Sequence, residues 1–168
     1  MSKKRVSQII DVETNGFLVY LDSLPLESKE KARNRYASMA VRLWYDAEGA
    51  DGYRKKPERE KIVSLIQEFF KDDSLFPKKT HSDDQRKKIL KDLLDSESAS
   101  VTMEEVADYL KSLPDTVRFS FFHDACYIIS IDKHVATKEV EYLEQLGKLF
   151  GIPQDTIIKE FQLFWIGQ

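Results

Sequence analysis

The stretch Phe119-Ser-Phe-Phe-His-Asp-Ala-Cys-Tyr-Ile-Ile-Ser-Ile131 constrains the fold more than any other part of this chain. Phe119, Phe121, Phe122, Ala125, Cys126, Ile128, Ile129 and Ile131 leave a helix here apolar on most sides. A helix of that kind must be enclosed by other elements. It is too short to cross a bilayer, which takes roughly 20 apolar residues, and no other stretch of the chain comes closer. The segment therefore predicts the central helix of a soluble domain, with the rest of the chain wrapped around it.

The surrounding chain supplies helices for that purpose. Ile62, Leu65, Ile66, Phe69 and Phe70 fall at i, i+3, i+4, i+7 and i+8, an inward-facing helical stripe. A long helix runs from Leu26 to about Asp46, with Tyr36, Met39, Ala40, Leu43 and Trp44 at helical spacing. Residues 6–24 carry a broken helical pattern, Val6, Ile9, Ile10, then Phe17, Leu18 and Leu21, interrupted at Asn15-Gly16, which predicts one or two short helices. Another helix starts near Gln85, with Ile89, Leu90, Leu93 and Leu94 inward, and ends in a loop over 96–100. Thr102 with Glu105 three residues on predicts a capped start for a short helix through Leu110. Thr137 is positioned to cap a helix with Val140, Leu143, Leu146 and Phe150 inward, and Gly151 suits the left-handed residue that ends it. A last amphipathic helix over 153–166 carries Ile157, Ile158, Phe161, Phe164 and Trp165. No strand pattern is convincing. The expectation is an all-α fold, a single compact domain of about seven or eight helices spanning 1–168, and 168 residues with 42% hydrophobic content suffice for one sizeable core.

Charge and cysteine content narrow the function classes. The net charge of −3 gives no general attraction to nucleic acid. The lone Cys126 excludes an internal disulfide and any zinc site needing two thiolates, fits a reducing, cytoplasmic setting, and reads as a small core residue. The basic start Ser2-Lys3-Lys4-Arg5 is not followed by a secretory apolar segment. No glycine-rich phosphate loop and no motif around a serine or cysteine nucleophile is present.

The chain also repeats itself. Tyr20-Leu-Asp-Ser-Leu-Pro25 and Tyr109-Leu-Lys-Ser-Leu-Pro114 agree at five of six positions, at an offset of 89. Further on, Asp51/Asp132, Glu58/Glu139, Glu60/Glu141, Leu65/Leu146 and Phe69/Phe150 agree at an offset of 81. The difference of eight residues is about two helical turns, so the first copy carries the longer helix between its proline and its aspartate. Two pseudo-repeats, about 17–76 and 102–151, are the expectation. In each, an aspartate stands where one helix stops and a glutamate seven residues later stands in the first turn of the next.

Ala50-Asp51-Gly52 with Glu58, the looser Ile131-Asp132-Lys133 with Glu139, and the Ser-Leu-Pro segments resemble the TerB-like family, the tellurite-resistance-associated helical domains related to the amino-terminal region of the DjlA co-chaperone. The resemblance spans about residues 20–151. It implies an all-α fold, a non-enzymatic, stress-associated role with a protein partner, and acidic corners, Asp51, Glu58, Asp132 and Glu139, that bind a divalent cation or form an exposed acidic patch. Calcium or magnesium suits such oxygen ligands better than zinc. Lys133 replaces the glycine and sets a cation beside the second aspartate, making that corner the weaker. Competing readings are a small metal-dependent enzyme using the same carboxylates in a deep pocket, and a plain helical interaction module docking through Phe161, Phe164 and Trp165. The carboxylates also have a purely structural use, favouring helix amino termini and tying down loop backbone. His123 and Cys126 have the i, i+3 spacing of a transition-metal pair but read first as packing residues, with His134 in the second corner. His81, among Lys79, Ser82 and Asp83, reads as an exposed loop residue.

Overall fold

The computed structural model describes residues 12, 15–50, 56–98, 100–131 and 136–163. Among these there are eight α-helices and no strand: α1 (Phe17–Asp22), α2 (Leu26–Glu48), α3 (Lys56–Glu68), α4 (Asp83–Leu94), α5 (Met103–Leu110), α6 (Asp115–Ser130), α7 (Thr137–Leu149) and α8 (Gln154–Phe161), with a 3₁₀ turn at Asp95–Ser98. The all-α expectation holds. Val6, Ile9, Ile10, Phe164 and Trp165, which the sequence placed in the first and last helices, lie outside the described residues.

The apolar segment that predicted a central helix forms α6, whose Phe121, Phe122, Ala125, Cys126, Ile128 and Ile129 are all buried. It shares that position with α2, the helix against which it packs most extensively. The amino-terminal half of α2 is solvated, while from Tyr36 onward it buries Ala37, Ala40, Val41, Leu43 and Trp44. Tyr36 is the hub between them. Its ring lies 4.1 Å from Phe17, edge-on to Phe121 at 5.5 Å and edge-on to Phe69 at 6.3 Å, and its hydroxyl accepts from Asn15 Nδ2 at 2.7 Å. Trp44 stacks on Phe69 at 5.6 Å and directs its indole N–H at Asp124 Oδ2, 3.4 Å away. Each such fully buried large side chain stabilises the fold by about 1.5–3 kcal/mol.

The helix ends follow their local chemistry. Thr102 Oγ1 accepts from Glu105 N at 3.2 Å, as its spacing predicted. Gly151 has φ 70°, and the bonds Ile152 N to Gly147 O (2.8 Å) and Gly151 N to Lys148 O (3.1 Å) close α7 in a Schellman motif. One cap differs from expectation. The N-cap of α7 is Ala136, and Thr137 is already helical; the capping acceptor comes instead from Glu139, further into the helix. On α8, Ile157 is buried and Phe161 half-buried, but Ile158 is 45% exposed, so this short helix presents a narrower apolar face than its sequence suggested.

Candidate functional site

The two proline corners that match in sequence also match bond for bond. Ser23 Oγ donates to Tyr20 O (2.6 Å) and Ser112 Oγ to Tyr109 O (2.9 Å). Leu24 N and Leu113 N each donate to the carbonyl three residues back at 3.1 Å, and Pro25 and Pro114, with φ near −55° and ψ near 147°, are the N-caps of α2 and α6.

The helices beyond the corners pack reciprocally. On α7, Tyr142 donates its hydroxyl to Asp46 Oδ2 of α2 at 2.7 Å. On α3, the Lys61 ammonium lies 5.5 Å from the ring centre of Tyr127 of α6. Lys61 and Tyr142 are 81 positions apart, and so are Asp46 and Tyr127. Each helix that leaves a corner thus touches the final turns of the helix that enters the other.

Of the four carboxylates proposed from sequence, Asp51 and Asp132 lie outside the described residues, as do Lys133 and His134. The backbone of Glu58 is in the first turn of α3, but its side chain is likewise outside the description. Glu139 is described fully. Its side chain is 1% exposed, and Oε1 accepts from Ala136 N at 2.9 Å. It therefore does not stand on an exposed acidic patch; it turns inward and accepts from the N–H of the N-cap residue at the start of α7, the half of a capping box that a glutamate at the third helical position supplies. At the first corner the sequence missed Glu48. This carboxylate is fully buried and takes hydrogen bonds from Arg59 of α3, Nη2 to Oε1 at 2.8 Å and Nε to Oε2 at 3.0 Å, joining the helices on either side of the corner. Arg59 also lies 5.3 Å from the Tyr45 ring centre.

His81 corrects a second expectation. It is 5% exposed rather than a surface loop residue. Its Nε2 is 2.9 Å from both carboxylate oxygens of Glu30 on α2, its Nδ1 is 2.8 Å from Thr80 Oγ1, and its ring stands edge-on to Phe76. Arg86 holds the same connection by donating from Nε to Phe76 O at 2.9 Å and from Nη2 to Phe70 O. Above His81 a groove of about 380 Å³ opens between α2 and α4, with Glu30, Asn34 and Ser38 on one wall and Gln85, Lys88 and Asp92 on the other. No local pattern announces this site, because its two walls are some 50 residues apart in sequence.

His123 and Cys126 do not form a metal pair in this geometry. His123 Nδ1 is 2.8 Å from Glu160 Oε2, tying α6 to α8. Cys126 is a fully buried free thiol; burial first, then the nearby Glu160 and Asp124 carboxylates, push its pKa well up. Burial also raises the Tyr142 hydroxyl, helped by the adjacent Asp46. Among the described residues no group of three or more His, Cys, Asp or Glu side chains is arranged to hold a metal, and no helix is long and apolar enough to cross a membrane.

Among the described residues, the fold and these contacts define an all-helical domain built on the packed pair α2 and α6. No protein-family model, no curated protein and no solved structure matches the chain.

Proposed function

We propose that this chain is a non-enzymatic, stress-associated binding domain of the TerB-like kind, made of two fused pseudo-repeats, which acts in the cytoplasm on a protein partner and holds a divalent cation at its acidic corners, Asp51 with Glu58 and Asp132 with Glu139. The observation that supports this reading is the reciprocal pairing of Tyr142 with Asp46 and Lys61 with Tyr127, which sets each helix that follows a corner against the last turns of the helix that precedes the other. The carboxyl ends of α2 and α6 add partial negative charge there, which favours a cation. Calcium or magnesium is the ligand that carboxylate oxygens select, ahead of zinc.

Calorimetric titration of the full chain with calcium, magnesium and zinc chlorides, with thermal unfolding alongside, tests the proposal. The expected result is saturable heat and a raised melting temperature for calcium or magnesium, both lost in Asp51→Asn and weakened in Asp132→Asn. Absence of heat and of any thermal shift with all three ions overturns the cation reading and leaves the acidic corners as helix-end chemistry.

A further inference from the structure

The groove between α2 and α4 is independent of the acidic corners and has chemistry of its own. The two helices lie side by side in the same direction: Glu30 of α2 meets His81, just before α4, and Tyr45 near the other end of α2 donates its hydroxyl to Leu94 O at 3.3 Å. A glutamate half-exposed on a helix ordinarily samples several rotamers. Here a 5%-exposed imidazole stands equidistant from both carboxylate oxygens, and Arg33 and Asn34 approach the same group at 3.4 Å. The result is a carboxylate fixed in place at the groove wall by the imidazole at 2.9 Å, while its contacts to Arg33 and Asn34, at 3.4 Å, are long enough for a ligand ammonium to displace.

The hydrogen bonds already made decide what the remaining groups offer. Asn34 Nδ2 donates to Glu30 O at 3.0 Å and to Glu30 Oε1, so its carbonyl oxygen is what remains for a ligand. Gln85 Oε1 accepts from Ser82 N at 2.8 Å, so its amide N–H groups remain. Lys88 has no carboxylate within ion-pair distance among the described residues, and Asp92, one turn further along α4, has no cation. One end of the groove thus accepts through Glu30 and Asn34 while facing donors on Gln85 and Lys88. The far end carries a second carboxylate, and Ile89 and Leu93 line the groove between. From Gln85 to Asp92 is about 10 Å along a helix, and the volume lies within the range of small-molecule sites.

We infer that this groove binds a free α-amino acid with a basic side chain. Its α-ammonium group sits on Glu30 and the Asn34 carbonyl, and its α-carboxylate on Lys88 and the Gln85 amide. The aliphatic stem lies over Ile89 and Leu93, as long basic side chains do on apolar surface, and the terminal guanidinium or ammonium reaches Asp92. Arg33 already offsets Glu30, so it is Asp92, with no cation of its own among the described residues, that selects a basic side chain over an acidic one. His81 is a positioning residue that fixes Glu30 and does not touch the ligand.

The test is a nitrogen–proton correlation spectrum of the labelled full chain, following the side-chain amide signals of Asn34 and Gln85 during titration. The probes are L-arginine and L-lysine, with L-glutamate, L-norleucine and agmatine, which is arginine without its carboxylate, as comparisons. L-Arginine or L-lysine should move both amide signals saturably, and agmatine and L-norleucine should bind about tenfold more weakly, the worth of one charge-assisted hydrogen bond. Lys88→Gln should weaken L-arginine by a similar factor while leaving agmatine unchanged, and Asp92→Asn should remove the preference for L-arginine over L-norleucine. Both variants are at exposed positions, so a preserved backbone spectrum shows that the fold is intact. No saturable movement with either basic amino acid, or equal binding of L-arginine and L-glutamate, overturns the inference. Asp51→Asn should leave this titration unchanged, which separates its outcome from that of the cation proposal.

Discussion

Gly147 is a close approach in the helical packing, and an alanine there tests the packing of α7 against α6 and α8. A methyl group at this position would lie 2.6 Å from Ile157 Cδ1, 3.0 Å from Ile157 Cγ1 and 3.3 Å from Phe122 Cε1. The shortest of these is about 0.8 Å inside the 3.4 Å at which ordinary contact begins. Ile157 and Phe122 are each 1% exposed, so neither has open space to swing into. Insertion of a methyl group into such a core costs about 1–3 kcal/mol. Alanine recovers up to about 1 kcal/mol of that, because glycine is the poorer helix former. The net expectation is a loss of about 1 kcal/mol, measured as a lower urea midpoint at unchanged slope, or a melting temperature lowered by about 2–4 °C. The decisive comparison is Gly147→Ala in an Ile157→Val background. Valine lacks the Cδ1 that makes the shortest contact, so the same alanine should be close to neutral there, giving a coupling of about 1 kcal/mol between the two sites. Equal cost of Gly147→Ala in both backgrounds would refute the assignment of the strain to Ile157.

Two further outcomes follow from the site geometry. Glu139→Ala should destabilise the domain by about 1 kcal/mol through loss of the Ala136 N–H acceptor, whereas Glu139→Gln, which keeps an acceptor, should cost less; equal losses in urea unfolding would mean that the charge, not the hydrogen bond, is what matters at this helix start. The tyrosines Tyr109 and Tyr142 are held above the ordinary value of 10.0 mainly by burial, so the native state retains protons that the unfolded chain has lost. Their contribution is therefore complete below pH 10 and declines as pH rises beyond it. Stability should fall steeply above that pH, with tyrosinate absorbance of the two appearing together with unfolding rather than before it, and Tyr142→Phe should reduce the steepness.

The apolar spacings made most of the fold legible. The stripe of α3, the enclosed character of α6, the Thr102 cap and Gly151 at the end of α7 are all local signals: each depends on residues within two or three turns, and the structure honours them. What sequence reasoning missed depends on partners brought in from far along the chain. His81 reads as exposed because its neighbours Lys79, Ser82 and Asp83 are polar, yet α2 and Phe76 cover it. Glu48 looks like one more acid at a helix end until Arg59 is seen to reach it across the corner. Glu139 was identified by its position in a repeated motif, and its inward turn belongs to that position, the third of the helix, from which a glutamate reaches back to the N-cap N–H of Ala136.

The reciprocal contacts fall on positions related by the same offset of 81 as the matching corner residues, but not on identical residues. Asp46 and Tyr127 occupy corresponding positions in α2 and α6, as do Lys61 and Tyr142 in α3 and α7, yet neither pair is identical. In one contact a hydroxyl donates to a carboxylate; in the other an ammonium lies against a ring. The positions correspond while the chemistry differs, because either attraction serves to hold a helix onto the turn it crosses. The arrangement has an energetic consequence. Trp44 of α2 stacks on Phe69, beyond its own corner, but directs its N–H to Asp124 of α6, and Tyr36 packs on Phe69 and Phe121 at once. The aromatic cluster at the centre is thus assembled from both sides of the chain's midpoint, and neither side closes a core without the other.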